Sequence, residues 1–196
     1  MNKIETVNFA FNDQAMIDSV AVSNEGSMTA HTHKGQELGS FLSRPVKISE
    51  FVWNGSTTTV TDVDPWTLFL EHPSVARKIA NFKLLRGDLH MKIVINGSPF
   101  LFGRLMAYYN PLPGVDDFLP ENNASNLTRI SQRMHVKINP STSSGAELTL
   151  PFFWPYNALH IPTKEWQKLG RVSFLPISEL QSTSGTQSQI SVSVFA

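Results

Sequence analysis

From Pro45 to the last residue, apolar side chains recur at every second position, in short runs cut by Asn-Gly, Asn-Pro, Asp-Pro and Pro-Gly pairs. A period of two is the signature of half-buried β-strands, and so many short runs in one chain call for an all-β architecture. The clearest run places Leu89, Met91, Ile93 and Ile95 on one face and His90, Lys92 and Val94 on the other. Phe100 to Tyr109 then follows as a long apolar strand, and Met134-Val136-Ile138, Ala146-Leu148-Leu150-Phe152, Val172-Phe174 and Ile190-Val192-Val194 repeat the pattern. Taken locally, Asn96-Gly97 reads as a hairpin turn; in a sandwich the same turn instead passes the chain from one sheet to the other. Eight strands exceed what one open layer buries, so two packed sheets in Greek-key order are expected.

Few helices interrupt the strands. Pro73 suits a first turn, and Val75, Ile79 and Phe82 predict one buried stripe on a helix over 74–82. A weaker candidate starts from Ser125 or Asn126 as cap and runs through Leu127 and Ile130. Trp66, Leu68 and Leu70 share a parity and read as extended chain after Asp64-Pro65.

Residues 1–44 differ from the body. They are rich in small and polar residues, carry three basic and five acidic side chains, and their large apolar residues hold no period. A basic nucleic-acid tail has the opposite composition. Ile4, Phe9, Phe11, Ile17, Val20 and Val22 would each gain about 1.5–3 kcal/mol from full burial, which favours an extended arm lying on a neighbouring surface over a disordered leader. Gln36 to Leu42 is expected to make one helical turn before the body begins at Pro45.

Composition narrows the chemistry. The 196 residues contain no Cys, which excludes disulfides, thiolate metal sites and a cysteine nucleophile. Sixteen basic and 16 acidic residues cancel, so no net field draws the chain to nucleic acid or an anionic membrane. The start of the chain lacks the apolar stretch of a secretory signal, which predicts a cytosolic product. The acceptor-type sequences at Asn54, Asn96, Asn123 and Asn126 are then expected to be turns, not glycan sites.

Catalytic and metal constellations are weak. His31-Thr32-His33 lacks a third ligand at a companion spacing, and His90 and His135 fall inside strand patterns. Neither Gly39-Ser40-Phe41 nor Thr142-Ser143-Ser144-Gly145 forms a nucleophile elbow. Arg86-Gly87-Asp88 has the letters of an integrin-recognition tripeptide but abuts a strand, where a structural role is expected. Asp116-Asp117-Phe118 sets two carboxylates side by side in a long loop, an acid/base pair if a partner chain buries them. No catalytic residue, cofactor or metal is expected.

In order and spacing, Leu42-Ser43-Arg44-Pro45, Pro73-Ser74-Val75-Ala76-Arg77-Lys78, Leu85-Arg86-Gly87-Asp88-Leu89, Ile95-Asn96-Gly97-Ser98-Pro99-Phe100 and Gly103-Arg104-Leu105 resemble a capsid protein of the picorna-like viruses, of the dicistrovirus or marine algal RNA virus type. His135-Val136, Ile138-Asn139-Pro140 and Glu147-Leu148-Thr149-Leu150-Pro151-Phe152 continue the likeness to the end of the chain. The resemblance implies an eight-stranded antiparallel jelly-roll sandwich with two short helices over 45–196 and an extended N-terminal arm over 1–44. Its strands fall at 46–54, 57–70, 83–96, 99–110, 133–139, 146–151, 170–178 and 188–195, and Asn96-Gly97 becomes a crossing between sheets.

The same resemblance implies a non-enzymatic subunit of a non-enveloped icosahedral shell. Three different chains, sixty copies of each, would enclose a positive-strand RNA genome. The arm would strap neighbours through Phe9, Phe11, Ile17 and Val20, and the RNA contact would be weak and non-specific. A host receptor would meet the outer loops, nothing would insert in a membrane, and the chain would be found in the virion and, during assembly, in the host cytoplasm. The insect-virus branch carries an Asp-Asp-Phe motif in a larger capsid chain, implicated in maturation cleavage, and Asp116-Asp117-Phe118 matches its letters. A chain beginning at Met1 is further expected to be the first product of a structural polyprotein. Two other jelly-roll readings stand beside this one: a carbohydrate-binding module with Trp154 or Tyr156 as stacking platform, and a cupin-type metalloenzyme, for which the histidine spacing is wrong.

Overall fold

The computed structural model describes residues 38–57, 60–113, 127–183 and 189–196. The chain divides into two compact units, Met1–Arg44 and Pro45–Ala196. Within the first, α1 (Leu38–Leu42) is a single helical turn closed by a Ser43 hydroxyl that donates to the Ser40 carbonyl, 3.0 Å.

The second unit runs β1 (Lys47–Asn54), β2 (Thr61–Val63), α2 (Pro65–Leu70), α3 (Pro73–Ile79), β3 (Leu84–Leu85), β4 (Leu89–Ile95), β5 (Leu101–Pro111), α4 (Leu127–Ile130), β6 (His135–Ile138), β7 (Ala146–Leu150), β8 (Leu159–His160), β9 (Gly170–Ser182) and β10 (Gln189–Phe195). Short 3-10 turns at Pro140–Thr142 and Glu165–Lys168 complete it. Two four-stranded antiparallel sheets form, in the orders β1-β10-β4-β7 and β2-β9-β5-β6, while β3 and β8 make a two-residue ladder at the flank. Strands adjacent in sequence mostly lie in different sheets, which is the Greek-key order of a jelly roll. β4 and β5 are a case in point: Asn96-Gly97 passes the chain from one sheet to the other, so the local hairpin reading gives way to the crossing.

Alternation decides which side chains meet between the sheets. Met91, Ile93, Leu150, Val192 and Val194 from the first sheet and Leu105, Ala107, Val172 and Phe174 from the second are almost fully buried. Phe51 reaches across to Phe174 with ring centroids 4.8 Å apart. Trp53 does the same toward β5, where Gly103 opens the space: a Cβ there would lie 3.1 Å from the indole and 3.0 Å from the Glu179 carbonyl oxygen. Gly103 also adopts φ +155° at a register shift in the β5–β9 ladder, a backbone state that favours glycine.

Three expectations need correction. The span 57–70 is not one strand: β2 covers three residues and Pro65–Leu70 is helical. Asp64 caps that helix, its Oδ1 accepting from the Thr67 amide (3.2 Å) and its Oδ2 from the Thr67 hydroxyl (2.8 Å), and Pro65 takes the first helical position. Trp66, Phe69 and Leu70 are buried while Leu68 is exposed, so the spacing that matters is three and four. The span 83–96 breaks at Arg86–Asp88 into β3 and β4. The helix expected over 74–82 is α3, starting at Pro73 under a His72 cap and ending at Ile79; Val75 and Ile79 are buried, whereas Phe82 lies outside the stripe and is half exposed.

Candidate functional site

The two sheets turn very different outer faces to their surroundings. Among the described residues, the outward side chains of the β1-β10-β4-β7 sheet are mostly polar and uncovered. Glu50 Oε1 accepts from the Ser191 and Ser193 hydroxyls of β10, both at 2.9 Å, and Oε2 pairs with Lys47 at 3.0 Å. These donors, the Lys47 bond first, hold the Glu50 carboxyl down from 4.5 to about 2. Lys92 pairs with Glu147 at 3.0 Å, and the His90 ring nitrogen Nδ1 meets the Thr149 hydroxyl at 3.2 Å. Val52 and Val94 stand among these groups, about half exposed.

The outer face of the other sheet is covered. Ile130 of α4 packs with Met106, Tyr108 and Leu175, and Val60 and Ile177 border the cluster. This second layer explains why Leu105 to Tyr109 is buried at every position, against the strand period. The Ser173 hydroxyl donates to Asp62 at 2.6 Å beside Tyr108, whose phenol burial pushes upward in pKa.

At their edges, β1 and β7 are the outermost strands of the first sheet. Among the described residues no strand pairs with the outer side of β1, an eight-residue strand whose alternate backbone N–H and C=O groups point to that side. Such an edge is a template for another extended chain. Surface apolar side chains are plentiful as well: Leu84, Phe100, Phe102, Phe153 and Tyr156 are each more than half exposed. Sequence reasoning missed Phe100 and Phe102 as surface groups by counting them in an apolar strand; the signal was their position next to the Asn96-Gly97-Ser98-Pro99 bend.

The candidates for chemistry are engaged structurally. Arg86 donates from Nη1 to the Asn157 carbonyl (2.9 Å) and lies 5.1 Å over the Phe152 ring, while Asp88 Oδ1 accepts from the Phe152 amide at 2.8 Å. Both charged ends of Arg86-Gly87-Asp88 thus tie down the loop after β7. His135 Nδ1 donates to the Arg133 carbonyl at 2.8 Å, and His72 Nδ1 accepts from the Ser74 amide at the start of α3. Ser40 sits in α1, and Ser143 takes φ +50° to close the 3-10 turn capped by Asn139. Asn54 is an Asx turn: its Oδ1 accepts from the Ser56 amide and the Thr57 hydroxyl. Trp154 and Tyr156 lie 6.5 Å apart at 59°, a tilted pair and not a flat platform. Among the described residues no three His, Asp or Glu converge as metal ligands. Asp116, Asp117, His31, His33 and the arm residues Phe9, Phe11, Ile17 and Val20 lie outside the described residues.

What remains as function-bearing is therefore surface: a bare sheet face, a long free edge and exposed aromatic side chains on a jelly roll. A family model for picornavirus capsid protein matches residues 40–174. The chain belongs to the picornavirus capsid protein family. Membership of a capsid family favours a structural role over the lectin and cupin readings.

Relatives agree. A structural polyprotein of acute bee paralysis virus (strain Rothamsted) is 32% identical over 140 residues; the match covers 68% of this chain and 15% of that polyprotein. The chain thus spans a small part of its curated relative. Among solved structures, that of a marine algae virus of the order Picornavirales matches with a TM-score of 0.74 at 31% identity, over 85% of this chain and 74% of the other. Black queen cell virus matches with 0.73 at 23% identity, over 84% and 71%, and the Israel acute paralysis virus pentamer with 0.68 at 22%, over 83% and 91%; these two share the fold.

Proposed function

We propose that this chain is one of the subunits of a non-enveloped icosahedral capsid, assembling with other capsid chains of the same virus around a positive-strand RNA genome. The observation that carries the reading is the pair of sheets β1-β10-β4-β7 and β2-β9-β5-β6 in a chain of the capsid family. Three kinds of chain in sixty copies each would close the shell. The segment 1–44 acts as an arm that adds to a neighbour through Phe9, Phe11, Ile17 and Val20, and the open edge of β1 is a fitting receiver for such an extended segment. From Pro45 onward thirteen basic and eleven acidic side chains nearly balance, so contact with the genome is shallow and salt-sensitive. The outer loops are the surface open to a host receptor, and the chain works in the virion and in the host cytoplasm during assembly.

Co-expression of the full chain with its sister capsid chains, followed by gradient sedimentation, tests this. All chains should co-sediment as fast particles; a chain that stays at the top of the gradient as a monomer contradicts the reading. Asp116 and Asp117 are proposed to take part in maturation cleavage. Asp117→Asn should leave particles uncleaved, and unchanged cleavage would reduce Asp116-Asp117-Phe118 to an ordinary loop.

A further inference from the structure

Six of the thirteen basic side chains of the body lie in two stretches, 71–88 and 151–168: Arg77, Lys78, Lys83, Arg86, Lys164 and Lys168. The same stretches hold three acidic residues, Glu71, Asp88 and Glu165, whereas the rest of the body from Pro45 has seven basic and eight acidic. The positive surplus of the body is therefore gathered here. The fold brings the two stretches together at one flank: Leu84 pairs with His160 and Leu85 with Leu159, and the Ile161 amide donates to the Lys83 carbonyl at 2.9 Å. All three carboxylates are occupied locally. Glu71 Oε1 meets Lys164 Nζ at 3.0 Å and accepts from Gln167 at 3.2 Å, Glu165 Oε2 accepts from the His160 amide at 2.8 Å, and Asp88 Oδ1 from the Phe152 amide at 2.8 Å.

The same flank exposes large apolar side chains: Phe82 is 48%, Leu84 61%, Phe153 55% and Tyr156 70% exposed. The loop that carries Phe153 and Tyr156 is held at both ends. Arg86 Nη1 donates to the Asn157 carbonyl while its guanidinium lies over the Phe152 ring, and Asp88 holds the Phe152 amide. Rings fixed in this way lose little freedom when a ligand stacks on them. Positive charge interleaved with exposed, pre-set rings is what a single-stranded nucleic acid asks of a protein, phosphates taking the charge and bases the rings. A lipid surface asks instead for the apolar face of a helix, and that of α3 is already spent, with Val75 and Ile79 buried.

We propose that this flank is a docking surface for single-stranded RNA, with phosphates on Arg77, Lys83 and Lys168 and bases stacked on Phe153 and Tyr156. The three basic side chains named are exposed. Phosphate contacts carry no sequence information and every base offers a flat face, so such a surface holds RNA without reading it. The zero net charge of the whole chain is compatible with this, because attraction over a few ångströms follows the local surplus and salt screens the remainder. The inference rests on the shell reading for the identity of the polyanion and adds to it the surface at which the genome is met.

The test uses the full chain and a fluorescein-labelled oligouridylate of about 20 nucleotides, read by fluorescence anisotropy between about 50 and 200 mM salt. Wild type should bind with an affinity that falls as salt rises. Lys83→Gln should flatten the plot of log affinity against log salt by about 0.7 in slope, and Tyr156→Ala should weaken binding about tenfold with the slope unchanged. Lys137→Gln on β6 removes the same charge elsewhere and should change neither. These side chains are exposed, so all three variants should keep the wild-type thermal midpoint. A wild-type chain that leaves the oligouridylate unbound, or Lys83→Gln and Lys137→Gln that weaken binding equally, overturns the inference. So does a chain that ignores the oligouridylate and pellets with phosphatidylserine vesicles through Lys83 and Tyr156, since the surface would then be one for membranes. If wild type joins its sister chains in closed particles yet leaves the oligouridylate unbound, this inference falls and the shell reading stands; if it binds as described but stays out of particles, the reverse holds.

Discussion

Two residues show most plainly how close the parts of this fold approach. A Cβ on Gly97 would sit 2.2 Å from a backbone carbonyl of the Pro140 turn, which no side-chain motion relieves. Gly97→Ala should therefore cost about 1–3 kcal/mol in urea unfolding, whereas Gly87→Ala, with nothing within 4 Å, should stay within about 0.5 kcal/mol. The glycine of Asn96-Gly97 was legible in the sequence as a bend. Its real constraint, contact with a turn more than forty residues away, was not, because spacing carries no information about what packs against a bend.

Glu50 sets a pH dependence. Its carboxyl is held at about 2 in the folded chain against 4.5 ordinarily, so the stability it adds is full above 4.5 and is lost as pH falls toward 2. Thermal midpoints of wild type and Glu50→Gln should converge across that window, and salt should shrink their difference at neutral pH, since the group is solvent-facing. Asp64 shifts the other way because burial raises it, so its contribution fades as pH rises through its folded pKa.

At the scale of elements, most strands and the helices α1, α3 and α4 were legible, whereas α2 was read as extended chain. Leu89 to Ile95 alternates cleanly because only one face is buried. Trp66, Leu68 and Leu70 mimic that alternation, yet the Asp64-Pro65 pair and Thr67 spell a helix cap, and burial at 66, 69 and 70 follows. Asp64→Ala should cost about 1 kcal/mol by chemical denaturation, with the loss reproduced in part by Thr67→Val, which keeps the shape and removes the hydroxyl bonded to Asp64. The break of 83–96 at Arg86–Asp88 arises from long-range bonds to Phe152 and Asn157, which a local period cannot report. The all-buried run from Leu105 to Tyr109 likewise needs Ile130 to cover its second face.

For the whole molecule, the features proposed to carry assembly are the outer edge of β1 and the exposed face of its sheet, and neither is a motif. The family order of short pieces made the jelly roll and the capsid role legible, while the edge and face proposed for assembly came from placement of the strands. A closed shell gives each of them something to meet. The central claim is that this two-sheet body is a shell subunit completed by other chains. Cryo-electron microscopy of the full chain co-expressed with its sister chains tests it most directly. The expected map shows closed particles in which β1-β10-β4-β7 faces β2-β9-β5-β6 and residues 1–44 lie on neighbouring subunits; open aggregates, or closed shells that lack this chain, would contradict it.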